Sequence, residues 1–186
     1  AAKLDKAIMP GQQGGPHMHT IAAIAVALAE ADTHEFLLYA QQILKNSKRL
    51  SEQLVEKGFD LVTGGTDNHI ILIDLRKRKI AGRDYAKALD RAGIVGNFNT
   101  VPHDPAPPTK PNGLRIGTPA VTTRGMCECE MDIIAELMNR VAENMGNEEV
   151  ISNISKEVME LTSRFPVPDH FIVPQRRKEP PFHCND

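Results

Sequence analysis

The hydrophobic spacing of this chain changes abruptly at Gly58. Before it, Phe36, Ala40, Ile43, Leu50 and Leu54 recur at helical intervals, and Gly58 stands where a helix-ending glycine belongs. Asp32 followed by Glu35 predicts a capping box that opens this helix. After Gly58, residues 59–63 and 69–75 read as strands joined by the hairpin-like turn Gly64-Gly65-Thr66-Asp67-Asn68. Residues 82–91 form a short helix closed by Gly93, and Ile94-Val95 starts another strand. Residues 97–112 read as a long loop with five prolines, a length that is uncommon unless the loop has work to do. Leu114 to Gly117 is a strand leaving it. Two helices follow, at about 127–145 and 148–165, separated by Gly146. The order predicts an α/β chain of the two-layer α+β kind, with helices on one face of a small, mostly antiparallel sheet.

The N-terminal stretch differs. Residues 10–16 carry three glycines and two prolines and read as a loop. An Ala-rich helix from His17 to Ala31 follows, apolar nearly all round, and is expected to be buried between other elements. The chain opens on Ala1 inside a helix-like stretch, so it is expected to be a piece of a longer protein. Beyond Phe165 a tail with five prolines and the cluster Arg176-Arg177-Lys178 is expected to run extended over a surface.

Composition excludes several classes. With 22 basic and 24 acidic residues the net charge is −2, which argues against nucleic-acid binding through bulk positive charge. The longest apolar run, Ile21 to Ala29, has nine residues, too few for a membrane span, and no secretory signal is visible. Three cysteines cannot all pair, which fits a reducing, cytoplasmic compartment. His17-x-His19, Cys127-x-Cys129 and the tail pair His183 and Cys184 lack the partners of a zinc site, so no metal is expected.

Two features carry candidate chemistry. The Gly11 to Gly15 loop precedes a helix, where backbone N–H groups can turn toward an anion, although by spacing alone it reads first as a tight turn without a ligand. Arg115 lies between Leu114 and Ile116, and a cation in an apolar run is costly unless a carboxylate meets it, from the protein or from a ligand. Asp67 and His69 read first as turn and strand-start residues.

Four segments together carry a family resemblance. Residues 9–19, Met-Pro-Gly-Gln-Gln-Gly-Gly-Pro-His-Met-His, resemble the Phe-Pro-Gly-x-Gln-Gly-Gly-Pro-x-Met-His segment of serine hydroxymethyltransferase. Gly64-Gly65-Thr66-Asp67-Asn68-His69, residues 97–104 (Asn-Phe-Asn-Thr-Val-Pro-His-Asp) and residues 113–120 (Gly-Leu-Arg-Ile-Gly-Thr-Pro-Ala) are similar to three further signatures, in the same order. The resemblance covers about residues 1–165.

It implies the C-terminal small domain of a fold-type-I transferase that uses pyridoxal 5′-phosphate. The implied reaction interconverts serine plus tetrahydrofolate with glycine plus 5,10-methylenetetrahydrofolate, in a homodimer or tetramer. Residues 1–31 would end the large domain, 32–165 would form the small domain, and 166–186 a Pro-rich tail. Gly14 and Gly15 would offer N–H groups to the cofactor phosphate, in the partner subunit's site. Arg115 would clamp the substrate carboxylate, and Asn99, with Thr100 nearby, would hydrogen-bond the folate. The family's cofactor lysine sits in a His-Lys-x-Leu-x-Gly-Pro-Arg segment that would precede Ala1, so no catalytic residue is assigned here and the chain alone is expected to be inactive. A non-catalytic α/β interaction module, or the small domain of another fold-type-I enzyme, would share much of this pattern.

Overall fold

The computed structural model describes residues 1–168; the basic cluster and the rest of the tail lie outside the described residues. The chain divides into two compact units, Ala1–Leu38 and one that begins at Tyr39.

In the first unit, α1 (Ala2–Lys6) runs into a wide turn over Ala7–Gln12, and α2 covers Met18–Ala31. The open loop is therefore shorter than the expected 10–16. Met9 is extended (φ −129°, ψ 115°), and the turn is closed by Gln13 N–H donating to the Ile8 carbonyl at 2.8 Å. Residues 1–37 are all exposed. The expectation that α2 is buried does not hold within this unit, where Ile21, Ile24, Val26 and Leu28 are about half exposed or more. The α2–α3 junction also differs from the predicted capping box. Asp32 ends α2, its N–H donating to the Leu28 carbonyl. Thr33 caps the next helix, its Oγ1 accepting from Phe36 N–H at 3.2 Å and donating to the Glu30 carbonyl at 2.7 Å.

The second unit is the expected two-layer arrangement. Helix α3 (His34–Glu56) leads to β1 (Asp60–Leu61) and β2 (Ile70–Asp74), then α4 (Gly82–Arg91), β3 (Asn97–Asn99) and β4 (Gly113–Gly117). Three more helices follow: α5 (Pro119–Thr123), α6 (Glu128–Glu143) and α7 (Glu148–Arg164). The sheet order is β1-β2-β4-β3, antiparallel throughout. Leu50 and Leu54 of α3, Tyr85 and Leu89 of α4, and Met138 of α6 close over Ile71, Ile73 and Leu114 of the sheet. Their spacing is three or four along the helices and two along the strands, the two periods that put one stripe inward.

Strand β3 begins later than expected, and the reason is the end of α4. Gly93 (φ +83°) donates its N–H to Asp90, and Ile94 N–H donates to the Leu89 carbonyl at 2.9 Å. This pair of bonds is a Schellman stop, and it draws Ile94 into the helix end rather than a strand. The first three residues of the expected 97–112 loop are thereby free to pair with β4. Helix α5, which periodicity does not announce, is a single turn started by Pro119.

A buried polar network ties α3 to α5 and α6. Asn46 Nδ2 donates to Thr122 Oγ1 and to the Met126 carbonyl, both at 2.9 Å, while its Oδ1 accepts from Gln42 Nε2 at 2.9 Å. Thr118, the residue after β4, donates to the Ile43 carbonyl at 3.0 Å. The strand that carries Arg115 is thus fastened to α3 at its far end. Among the described residues no helix is long and apolar enough to cross a membrane.

Candidate active site

The sheet has one face toward the helices and one open. Ile71, Ile73 and Leu114 point to the covered face, so the alternating residues Leu72, Arg115 and Asn97, which lie in line across β2, β4 and β3, point the other way. Asn99 pairs with Gly113, two residues further along, and so shares the open face with Arg115. The pleat places two of the expected ligand residues on one surface. An open depression of about 590 Å3 beside Arg115 is lined by His69, Ile70, Val95, Asn97, Arg115 and Ile116; Asn99 does not line it.

Arg115 is exposed, and it makes no ion pair among the described residues. The apolar run around it does not bury it, because its neighbours Leu114 and Ile116 point to the opposite face. Of the two alternatives for this residue, an internal salt bridge is not found among the described residues.

Asn99 ends β3, its Nδ2 donating to the Thr100 carbonyl at 2.8 Å; Thr100 is exposed. The loop that follows is held by its own carboxylate. Asp104 accepts from Ala106 N–H at 3.0 Å, from Asn112 N–H at 2.9 Å and from Asn112 Nδ2 at 2.8 Å. Arg76, paired with Asp74, also donates to the His103 carbonyl at 3.2 Å. Hydrogen bonds, the Asn112 N–H foremost, hold the Asp104 carboxyl at about 2.

Gly14 and Gly15 lie in the open loop before α2, in the first unit. A methyl group built on either would meet nothing within 4 Å, and no side chain caps the start of α2. Thr66 and Asn68 are turn residues, donating to and accepting from Ile70 at 2.7 Å, while His69 gives its carbonyl to Thr118 N–H. Cys127 begins α6, with its N–H on Glu130 Oε2 at 2.8 Å. Among the described residues no group of three His, Cys, Asp or Glu side chains is placed to hold a metal.

The serine hydroxymethyltransferase family model matches residues 1–138, which is most of the chain. The chain belongs to the serine hydroxymethyltransferase family. It is 55% identical over 168 residues to a serine hydroxymethyltransferase of Sorangium cellulosum, covering 90% of this chain and 40% of that protein. It is 54% identical over 174 residues to one of Acidothermus cellulolyticus, covering 90% and 41%. A third, of Desulfotalea psychrophila, is 51% identical over 168 residues. The chain spans about two fifths of the length of the curated relatives it matches.

In this member of the serine hydroxymethyltransferase family, Asp104 closes the third motif in sequence without a role assigned to it, and in the structure it holds the loop after β3. Its signal is local: an Asp before Pro105 is a strong former of side-chain-to-backbone turns. It makes a pH dependence testable. Asp104 has a folded pKa below its unfolded one, so its contribution is present above the ordinary carboxylate range and is lost as pH falls from about 4 toward about 2. Denaturant midpoints measured from pH 5 down to pH 2.5 should fall less steeply in Asp104→Asn than in wild type. Parallel slopes would show that Asp104 carries no such linkage.

Proposed function

We propose that this chain is the C-terminal part of a glycine hydroxymethyltransferase that uses pyridoxal 5′-phosphate to interconvert serine plus tetrahydrofolate with glycine plus 5,10-methylenetetrahydrofolate. In this reading residues 1–31 complete the large domain, residues 32–165 form the small domain, and 166–186 are an appended tail. The observation that carries it is the shared open face: Arg115 and Asn99, from two separate family motifs, stand on one side of the sheet, and an open depression lies beside Arg115.

Arg115 presents a planar fork with no ion-pair partner among the described residues, suited to a substrate carboxylate in two parallel hydrogen bonds. Asn99, with Thr100 next to it, supplies hydrogen bonds to the pterin of the folate. Gly14 and Gly15 fit a phosphate: their backbone is open and it leads into the uncapped start of a 14-residue helix, whose first N–H groups favour an anion. The cofactor, when bound, supplies an electron sink for bond breaking at the amino-acid α-carbon. Its lysine belongs to a segment preceding Ala1, so the chain by itself is read as inactive. A homodimer or a tetramer in the cytoplasm completes the reading, and the apolar surface of α2 supports pairing.

The test is Arg115→Lys in the enzyme that contains this segment together with the cofactor lysine. Lysine keeps the charge and loses the fork, and breaking a charge pair that bound substrate has desolvated costs about 2–5 kcal/mol. Serine affinity should fall by about 30-fold or more, which is about 2 kcal/mol, with pyridoxal phosphate binding unchanged. Serine affinity within about threefold of wild type, under about 1 kcal/mol, would remove Arg115 from the carboxylate site.

A further inference from the structure

The Pro-rich segment after β3 leaves one edge of the open face and returns to its neighbour. Its neck is closed at one place. Asp104 takes both the backbone N–H and the side-chain amide of Asn112, the residue before Gly113, and Gly113 is the register partner of Asn99. The same carboxylate takes Ala106 N–H, and Asp104 N–H donates to the Val101 carbonyl at 3.0 Å. From outside the loop, Leu75 N–H reaches the Asn112 carbonyl and Gly82 N–H reaches the Pro111 carbonyl, both at 2.9 Å. The return limb is therefore fixed to the body of the domain. The outgoing limb, with Asn99 and Thr100, is held to it through Asp104, Arg76 and the three-residue strand β3.

We infer that Asp104 is a positioning residue for the folate cosubstrate: it closes the loop neck and so holds Asn99 and Thr100 at the edge of the open face. The inference rests on the reading that places folate at Asn99. Asp104 acts through the loop and touches no reacting atom. Arg115 lies on β4, which is paired with β2 and β3 and fastened to α3 through Thr118, so loss of Asp104 should disturb Asn99 more than Arg115 and divide the two substrates. A displacement of about 1 Å in a positioned group can cost up to about 100-fold, which sets the scale to look for.

The experiment compares Asp104→Ala, Asp104→Asn, Asn112→Ala and Asn99→Ala in the complete enzyme, with tetrahydrofolate and serine as the varied substrates. Asp104→Ala should raise the tetrahydrofolate KM by about tenfold and leave the serine KM within about twofold. Asp104→Asn, which keeps one acceptor oxygen, should recover part of the loss. Asn112→Ala should lie between, since the backbone N–H remains for Asp104, and it serves if the alanine at 104 does not fold. An unchanged tetrahydrofolate KM in Asp104→Ala, or in Asn112→Ala where that variant stands in for it, overturns the inference whatever Asn99→Ala does. An equal rise in both KM values also overturns it, because the damage would then be general. If Asn99→Ala is without effect the reading of the folate site fails as well; a raised KM in Asn99→Ala beside an unchanged one in Asp104→Ala leaves that reading standing and sinks Asp104 alone.

Discussion

Replacing Gly82 by alanine should lower the denaturation midpoint of the second unit more than any other single-methyl addition at a glycine of α4 or the loops. A Cβ at Gly82 would overlap the Gly113 carbonyl oxygen and lie 2.8 Å from the Pro111 oxygen and 3.0 Å from Gly113 N. All three are backbone atoms, so no rotamer change relieves the contact. Intrinsic preference points the other way, since alanine is favoured over glycine in a helix by about 1 kcal/mol. Overpacking of a well-fitted site costs about 1–3 kcal/mol and more where backbone must move, so sterics should win. The expected loss is about 3 kcal/mol, or roughly 6–12 °C in Tm for a chain of this size. Because the clash falls on Pro111 and Gly113, it should also loosen the return limb beside Asn99. Gly146→Ala is the control: a methyl there meets nothing within 4 Å, and its effect should stay within about 0.5 kcal/mol. Equal midpoints for the two variants would show that α4 and β4 do not approach as closely as described.

Much of this architecture is written in local periods. The range of α4 follows from residues 82–91 and Gly93 alone, and β2 and most of β4 fall in the apolar runs at 69–75 and 114–117, whereas the pairing of those two strands is not written in the runs. What local pattern misreads is governed by neighbours. Ile94-Val95 looks like a strand because both residues are β-branched, yet the Schellman bonds of Gly93 and Ile94 commit the first of them to a helix end. Arg115 looks costly when counted among its sequence neighbours and is not, because the pleat turns it away from them. The capping box was expected at Asp32, but that residue already serves as the end of α2, and Thr33 takes the cap. At the candidate site the motifs bring out Arg115 and Asn99, whereas their common face needs the register of three strands. Asp104 is visible in sequence as a turn former before Pro105 and as the last residue of a motif; its grip on Asn112, which closes across the loop, is not.

Asn46→Asp should produce a loss of stability that grows with pH. Asn46 is fully buried, and its Nδ2 group faces the Met126 carbonyl and Thr122 Oγ1, whose own proton goes to the Thr118 carbonyl at 2.8 Å. A carboxylate oxygen in that place would meet the Met126 carbonyl and a hydroxyl that could donate to it only by giving up the Thr118 carbonyl. Gln42 still donates to the other oxygen, but the same Nε2 is shared with Glu128 Oε2 at 2.7 Å, which brings a second acid toward the site. Burial and the neighbouring acid both raise the introduced carboxyl above its ordinary range. In the unfolded chain it ionises near pH 4, so the native state binds more protons above that pH and stability falls as pH rises. The slope is about 1.4 kcal/mol per pH unit up to the folded-state pKa, which amounts to about 4 kcal/mol by pH 7 if the group stays neutral. Chemical denaturation at pH 5 and pH 8 separates this from the pH-independent loss of one hydrogen bond, about 1–3 kcal/mol. The same network holds Thr118 to α3 just beyond β4, so at pH 8 the variant should also loosen the strand that presents Arg115. An equal deficit at the two pH values would mean that the introduced carboxylate reaches water, and that the contacts joining α3, α5 and α6 are not the dry core of this domain.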